Sequence, residues 1–201
     1  MPYLAGLLLF VVGCFVGLEL PDFDQSFYWR PLIEHRSLLT HGPLVALLLW
    51  IALRPQLALK DAAGRRPGPM PRLFLMGFCL ASAVHLCFDL FPRAWIGYAF
   101  IHVPFAAPLT EAGSIIWMGA GALICLYLAC RLLRGKGDVV LSGLALATCY
   151  GFGAAHEAVR SFAALMVLIV LVVLAFVAFL LPGKHFDPDS PAGDISRWMR
   201  S

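Results

Sequence analysis

The stretch Ser161-Phe-Ala-Ala-Leu-Met-Val-Leu-Ile-Val-Leu-Val-Val-Leu-Ala-Phe-Val-Ala-Phe-Leu-Leu181 decides the fold class. It is the purest apolar run in the chain and contains no charged residue. A helix needs about 20 apolar residues to cross the hydrocarbon core of a bilayer. The rest of the chain agrees. Hydrophobic residues make up 61% and charged residues 13%, and the mean hydropathy is +0.83. A soluble domain carries about 25% charged residues. The composition therefore predicts an all-α, polytopic membrane protein.

Working outward from that run, five further apolar segments read as helices. They are Tyr3 to Leu20, Arg36 to Leu53, Leu73 to Phe91, Gly113 to Leu133 and Val139 to Ala155. About six transmembrane helices are expected, in one domain over 1–181, followed by a polar cytoplasmic tail over 182–201. Pro21 ends the first helix, because the residue before a proline is pushed out of the helical region. That first run has no basic lead-in and no A-x-A site, so an uncleaved transmembrane helix is expected in place of a signal peptide. Gly13 and Gly17 give it a flat face for close packing. Gly143, Ala147, Gly151 and Ala155 form a small-residue stripe on helix five. The stripe predicts that helix five packs inside the bundle and that helix six, which has none, faces lipid. The connection from Pro92 to Ala112 carries aromatics suited to a membrane interface.

The composition also excludes functions. No basic run with interleaved aromatics suits nucleic acid. The six cysteines form no C-x-x-C pair and sit in apolar stretches, so they read as small buried hydrophobes. No G-x-S-x-G occurs, which leaves a serine hydrolase unsupported.

Charge placement predicts orientation. Eleven basic residues fall in the loop from Arg54 to Arg72, the connection from Arg131 to Asp138 and the tail, against four on the opposite side. The positive-inside rule then puts both termini in the cytoplasm of a cell (inner) membrane. Asp22, Asp24, His35, His41, His85 and Asp89 all fall at the outer end on this map. These are metal-ligand residue types, and the set contains no thiolate. His85 and Asp89 are four apart and share a helix face. His35 and His41 are six apart, off one face of a continuous helix, so either His35 precedes the helix or the two bind different ions. Six ligands suffice for one or two divalent ions, with zinc first and manganese or iron as alternatives. Arg36 is a candidate for holding a substrate anion, and Thr40 for capping the helix or supporting a ligand. Glu34, His156 and Glu157 are additional candidates, with His102, Glu111 and Arg160 behind them.

At these residues the sequence resembles a family of membrane-bound metal-dependent hydrolases, some of them LexA-regulated inner-membrane proteins. The matching blocks are Pro21-Asp22-Phe23-Asp24, then His35-Arg36 and Thr40-His41, then His85-Leu86-Cys87-Phe88-Asp89. The resemblance covers about residues 18 to 104. Two positions depart from the family pattern. Ser37-Leu38-Leu39 is one residue longer than the family's spacing, which would turn His41 by about 100° in a helix. Gly42 stands where the family has serine.

The resemblance implies a metal-dependent hydrolase and bears more on the metal than on the reaction. Water on such a metal would ionise near neutral pH and attack an ester or phosphoester, with Asp24, as a ligand or the group that orients the water, and Arg36, on a substrate anion, as the catalytic candidates. A site about one turn below the membrane surface could reach bonds near a head group, so a lipid or polyprenyl substrate is the expectation. Two rivals stand beside it. One is a non-catalytic metal-binding membrane scaffold or partner subunit. The other is an ion transporter, which ranks last because helices one, three and six have centres nearly free of ionisable residues.

Overall fold

The computed structural model describes residues 2–25, 35–58, 70–92, 94–156 and 161–180. Among them the protein is all-helical and contains no strand. The helices are α1 (Pro2–Glu19), α2 (Leu44–Ala58), α3 (Met70–Asp89), α4 (Glu111–Leu132), α5 (Lys136–His156) and α6 (Ser161–Leu180). Two short 3-10 helices, Pro21–Gln25 and Gly97–Ala99, lie in the connections after α1 and α3. Four helices, α3 to α6, are long and apolar enough to cross a membrane. Shorter apolar helical stretches, Leu4–Glu19 and Leu44–Arg54, lie within α1 and α2. The proposed tail over 182–201 lies outside the described residues.

Helix α3 is the axis of the bundle. Of its apolar window 78% is buried, against 44% for α4, 22% for α6 and 11% for α5. Its closest neighbour is α1. A Cβ added at Gly13 or Gly17 would strike the backbone carbonyls of Phe74 or Phe78, and one at Gly77 would strike the carbonyl of Phe10. The backbones of α1 and α3 therefore touch, as the Gly13-x-x-x-Gly17 spacing predicts. Ser82 Oγ donates to the Gly17 carbonyl at 3.2 Å and fastens the same crossing.

The packing expected of α5 is overturned. Gly143, Ala147, Gly151 and Ala155 are all exposed. A Cβ at Gly143 or Gly151 would meet no atom within 4 Å. Helix α5 instead turns Ala145 and Cys149 inward. Small residues permit close approach, but a neighbour must supply the other surface, and α3 is already taken by α1 on its glycine face. Helix α6 lies mostly outward, as expected, and buries only Ala164, Leu168, Ala175 and Phe179.

The start of helix two is also corrected. It begins at Leu44, not at Arg36, and residues 35–43 form a non-helical turn. Pro43 has no N–H and suits the start of a helix, and its carbonyl accepts the amide of Leu47 at 2.9 Å and starts the ladder. Upstream, Arg36 adopts a left-handed φ of 57°, which a helix does not accommodate.

At the far end of the bundle Arg72, buried in the first turn of α3, clasps the α4–α5 turn. It donates to the Leu132 carbonyl at 2.7 Å and to both Asp138 carboxylate oxygens, at 2.6 and 3.3 Å. Asp138 also accepts the amide of Arg134 at 2.7 Å. At the near end Thr110 caps α4 by accepting from the Gly113 amide at 3.2 Å. Tyr150 donates to the Ser161 carbonyl at 3.0 Å and ties α5 to the start of α6.

Candidate metal centre

Three separate segments deliver the candidate ligands to one end of the bundle. The 3-10 turn after α1 carries Asp22, the turn before α2 carries His35 and His41, and the last turn of α3 carries His85 and Asp89. His41, His85 and Asp89 have ligand atoms within 4.8 Å of one another, and so do Asp22, His35 and His41. His41 belongs to both groups. It is fully buried, and its ring lies edge-on to His35 at 5.7 Å and to His85 at 5.6 Å between centroids.

Both histidine Nε2 atoms lie between the two carboxylates, nearer to Asp89 than to Asp22. His85 Nε2 and His41 Nε2 stand 3.1 and 3.3 Å from Asp89 Oδ2. The same two nitrogens stand 3.9 and 3.8 Å from Asp22 Oδ1. Donors about 2.0–2.1 Å from a tetrahedral zinc lie about 3.3–3.4 Å from one another. The observed edges bracket that value. His85 Nε2 and Asp89 Oδ2 are buried, yet among the described residues neither makes an aligned hydrogen bond. The two atoms face each other at 3.1 Å: with His85 protonated they form an ion pair, and with it neutral both are lone-pair donors that a cation between them would satisfy. The imidazole and carboxylate donors fit zinc, manganese or iron.

Neighbouring groups orient the donors. Thr40 Oγ1 lies 3.1 Å from His41 Nδ1 and 3.3 Å from the Ser37 carbonyl. Thr40 has one hydroxyl hydrogen. Both contacts are satisfied together when it donates to Ser37 and accepts from Nδ1–H. In the neutral ring that tautomer leaves a lone pair on Nε2, the nitrogen beside Asp89 Oδ2 and Asp22 Oδ1. The Asp22 carboxyl is held below its ordinary pKa. Burial would raise it, but the approach of His41 and the charge of His85 outweigh burial and the opposing charge of Asp89.

Arg36, the candidate for holding a substrate anion, makes its contacts within the chain. Its guanidinium is turned inward and donates to Asp89 Oδ1 at 2.8 Å, to the Asp89 carbonyl at 3.2 Å and to the Ala99 carbonyl at 3.0 Å. Only 10% of its side chain is exposed. It holds the Asp89 carboxylate with Oδ2 facing the histidines. The backbone at Arg36 is left-handed where the side chain turns inward.

The connection after α3 locks that turn. The Leu38 amide donates to the His102 carbonyl at 2.9 Å, and the His102 amide donates to the Arg36 carbonyl at 2.9 Å. Ser114 Oγ accepts the Ile101 amide at 3.0 Å from the first turn of α4. Gly42 lets Trp117 pack directly on the backbone beside His41, where any Cβ would meet the indole ring. These supports were not legible in sequence. Ser37, His102 and Ser114 carry no motif, and only the fold brings them to the ligands. Glu34 and Glu157 lie outside the described residues, as do the side chains of Asp24 and His156. The added residue between the histidines does not separate them, because the segment is not helical.

The chain was compared with protein-family models, curated proteins and solved structures, and nothing matches it.

Proposed function

We propose that this protein is a metal-dependent hydrolase of the membrane, acting on an ester or phosphoester at the outer face of a cell (inner) membrane, with both termini cytoplasmic. The observation that carries the reading is the cluster of His41, His85 and Asp89, with Asp22 on its more exposed side. In this reading the first three hold one divalent ion, zinc before manganese or iron. Such an ion supplies a Lewis acid that lowers the pKa of water toward neutrality. Asp22 has 46% of its side chain exposed and lies farther from the histidines than Asp89 does, so it borders the side open to water and substrate. Its carboxylate orients water there, with Asp24 as the neighbouring candidate. His35 flanks Asp22 and His41 and completes the rim. Arg36 and Thr40 act as positioning residues for Asp89 and His41. The sequence resemblance to membrane-bound metal-dependent hydrolases supports the same reaction class.

The donor count favours a second reading. Two histidines and two aspartates would be enough donors to close a four-ligand shell around an ion, the arrangement of a structural rather than a catalytic site. That describes a non-catalytic metal-stabilised scaffold. Asp22 separates the two. In the hydrolase Asp22→Asn keeps the ion and loses turnover, whereas in the scaffold it loses the ion. The direct test uses purified protein with ester and phosphoester substrates. Turnover should vanish with chelator and return with zinc or manganese. Metal-replete protein without turnover across a broad panel would replace the hydrolase by the scaffold.

A further inference from the structure

The loops around the centre carry large apolar side chains outward. Phe105 is 74% exposed, Ile96 73% and Leu39 43%. None of them lies on a spanning helix. Phe105 sits in the turn 103–106, closed by the Ala106 amide on the Val103 carbonyl at 3.1 Å. Its φ is +62°, a left-handed conformation that is an outlier for a bulky side chain. The backbone is strained there, and the ring it presents makes no compensating burial within the chain. The turn is also anchored. The Leu109 amide on the Ile101 carbonyl, at 2.8 Å, closes its base, and His102 pairs with the Arg36–Leu38 backbone. Phe105 is three positions after His102, a reach of at most about 11 Å. The turn is therefore held close to His102, whose backbone pairs with the Arg36–Leu38 segment.

The helices that meet at this end also carry exposed apolar side chains. Ile116 on the second turn of α4 is 69% exposed and Phe162 at the start of α6 is 72% exposed, both at this end of the bundle. Trp95 packs on Phe100 at 6.1 Å in the same connection, the residue type that anchors chains at the headgroup level.

We propose that the turn 103–106 inserts Phe105 among the lipid chains of the leaflet on the site's side, and that Phe105 determines specificity for amphiphilic substrates. Such a substrate keeps its acyl or prenyl chain in the bilayer against Phe105 and Leu39 and offers its ester or phosphoester to the cluster beside it. This rests on the hydrolase reading for the substrate but not for the insertion.

Two measurements test it on the full chain in lipid nanodiscs. The first is fluorescence of F105W, taken as the difference from the parent protein, in lipids brominated near the headgroup end of the acyl chains. The added emission should be blue-shifted and quenched by the bromines. Red-shifted, unquenched emission would mean that the turn stands in water, and would overturn the proposal. The second is kinetic. Phe105→Ser should raise KM for a long-chain ester about tenfold, as expected for one lost aromatic contact. The kcat, the metal content and the KM for a short-chain soluble ester should not change. An equal effect on both esters, or none on either, would remove Phe105 as a specificity residue. Quenching of the F105W signal without turnover of any ester would retire the hydrolase reading and leave the insertion standing.

Discussion

Thr40 decides which nitrogen of His41 faces the candidate ion. Its hydroxyl lies 3.1 Å from Nδ1, and losing such a support costs about 10–100-fold in metal affinity. Thr40→Val should weaken zinc binding by that factor in a competition titration, while Thr40→Ser should restore it. Unchanged affinity in Thr40→Val would remove the tautomer argument. Arg36 is tested by stability. Arg36→Met leaves the Asp89 carboxylate and the Asp89 and Ala99 carbonyls without their donor. Breaking a buried pair from one side costs about 3–5 kcal/mol, which unfolding in mixed micelles would register. A change below about 1 kcal/mol would place the pair in the weak, solvent-screened class. Metal affinity should also rise with pH. A ligating imidazole must be neutral, so each histidine proton displaced by the ion makes binding weaker in acid. Titrations at three pH values between about 5.5 and 8 would show the slope, centred on the histidine range. A flat profile would exclude histidine ligands. At this scale the sequence exposed the ligand types, because histidine and aspartate are rare in so apolar a chain. It hid the inward turn of Arg36, since a positive φ leaves no mark in residue identity.

At the scale of elements, two glycine patterns look alike in sequence and behave in opposite ways. Gly13 lies against the carbonyl of Phe74, while Gly143 has open space. Gly13→Leu should force α1 off α3 and cost about 3 kcal/mol, as overpacking does. Gly143→Leu should stay within about 0.5 kcal/mol of the parent, as surface changes do. Comparable losses in both would mean that α5 has a packed partner at its stripe. Spacing alone could not separate the two, because a small-residue face reports only what a helix permits. Helix two carries the same lesson. Apolar composition ran back toward Arg36, but the Gly42-Pro43 pair sets the true start at Leu44. That boundary moves His41 from a helix into a turn and lets it stand beside His35.

For the whole molecule, an all-helical membrane fold was readable from hydropathy alone, and α3 to α6 are long enough to span. The centrality of α3 was less visible. Its sequence is less apolar than α6, because a helix buried among helices needs no lipid-facing surface. The convergence of Asp22, His41, His85 and Asp89 follows from connectivity. Helix α1 ends, α2 begins and α3 ends on one side of the bundle, so residues 22, 41, 85 and 89 meet across sequence gaps that no local motif spans. The central claim is that this meeting point binds an ion. Elemental analysis of the full chain tests it most directly, on the parent, His41→Ala, His85→Ala, Asp89→Ala, and Gly143→Leu as a folded control. The parent and the control should carry about one zinc-class ion per chain, and the three site variants a small fraction of that. Equal metal content in all five, or none in the parent purified with zinc present, would contradict the account.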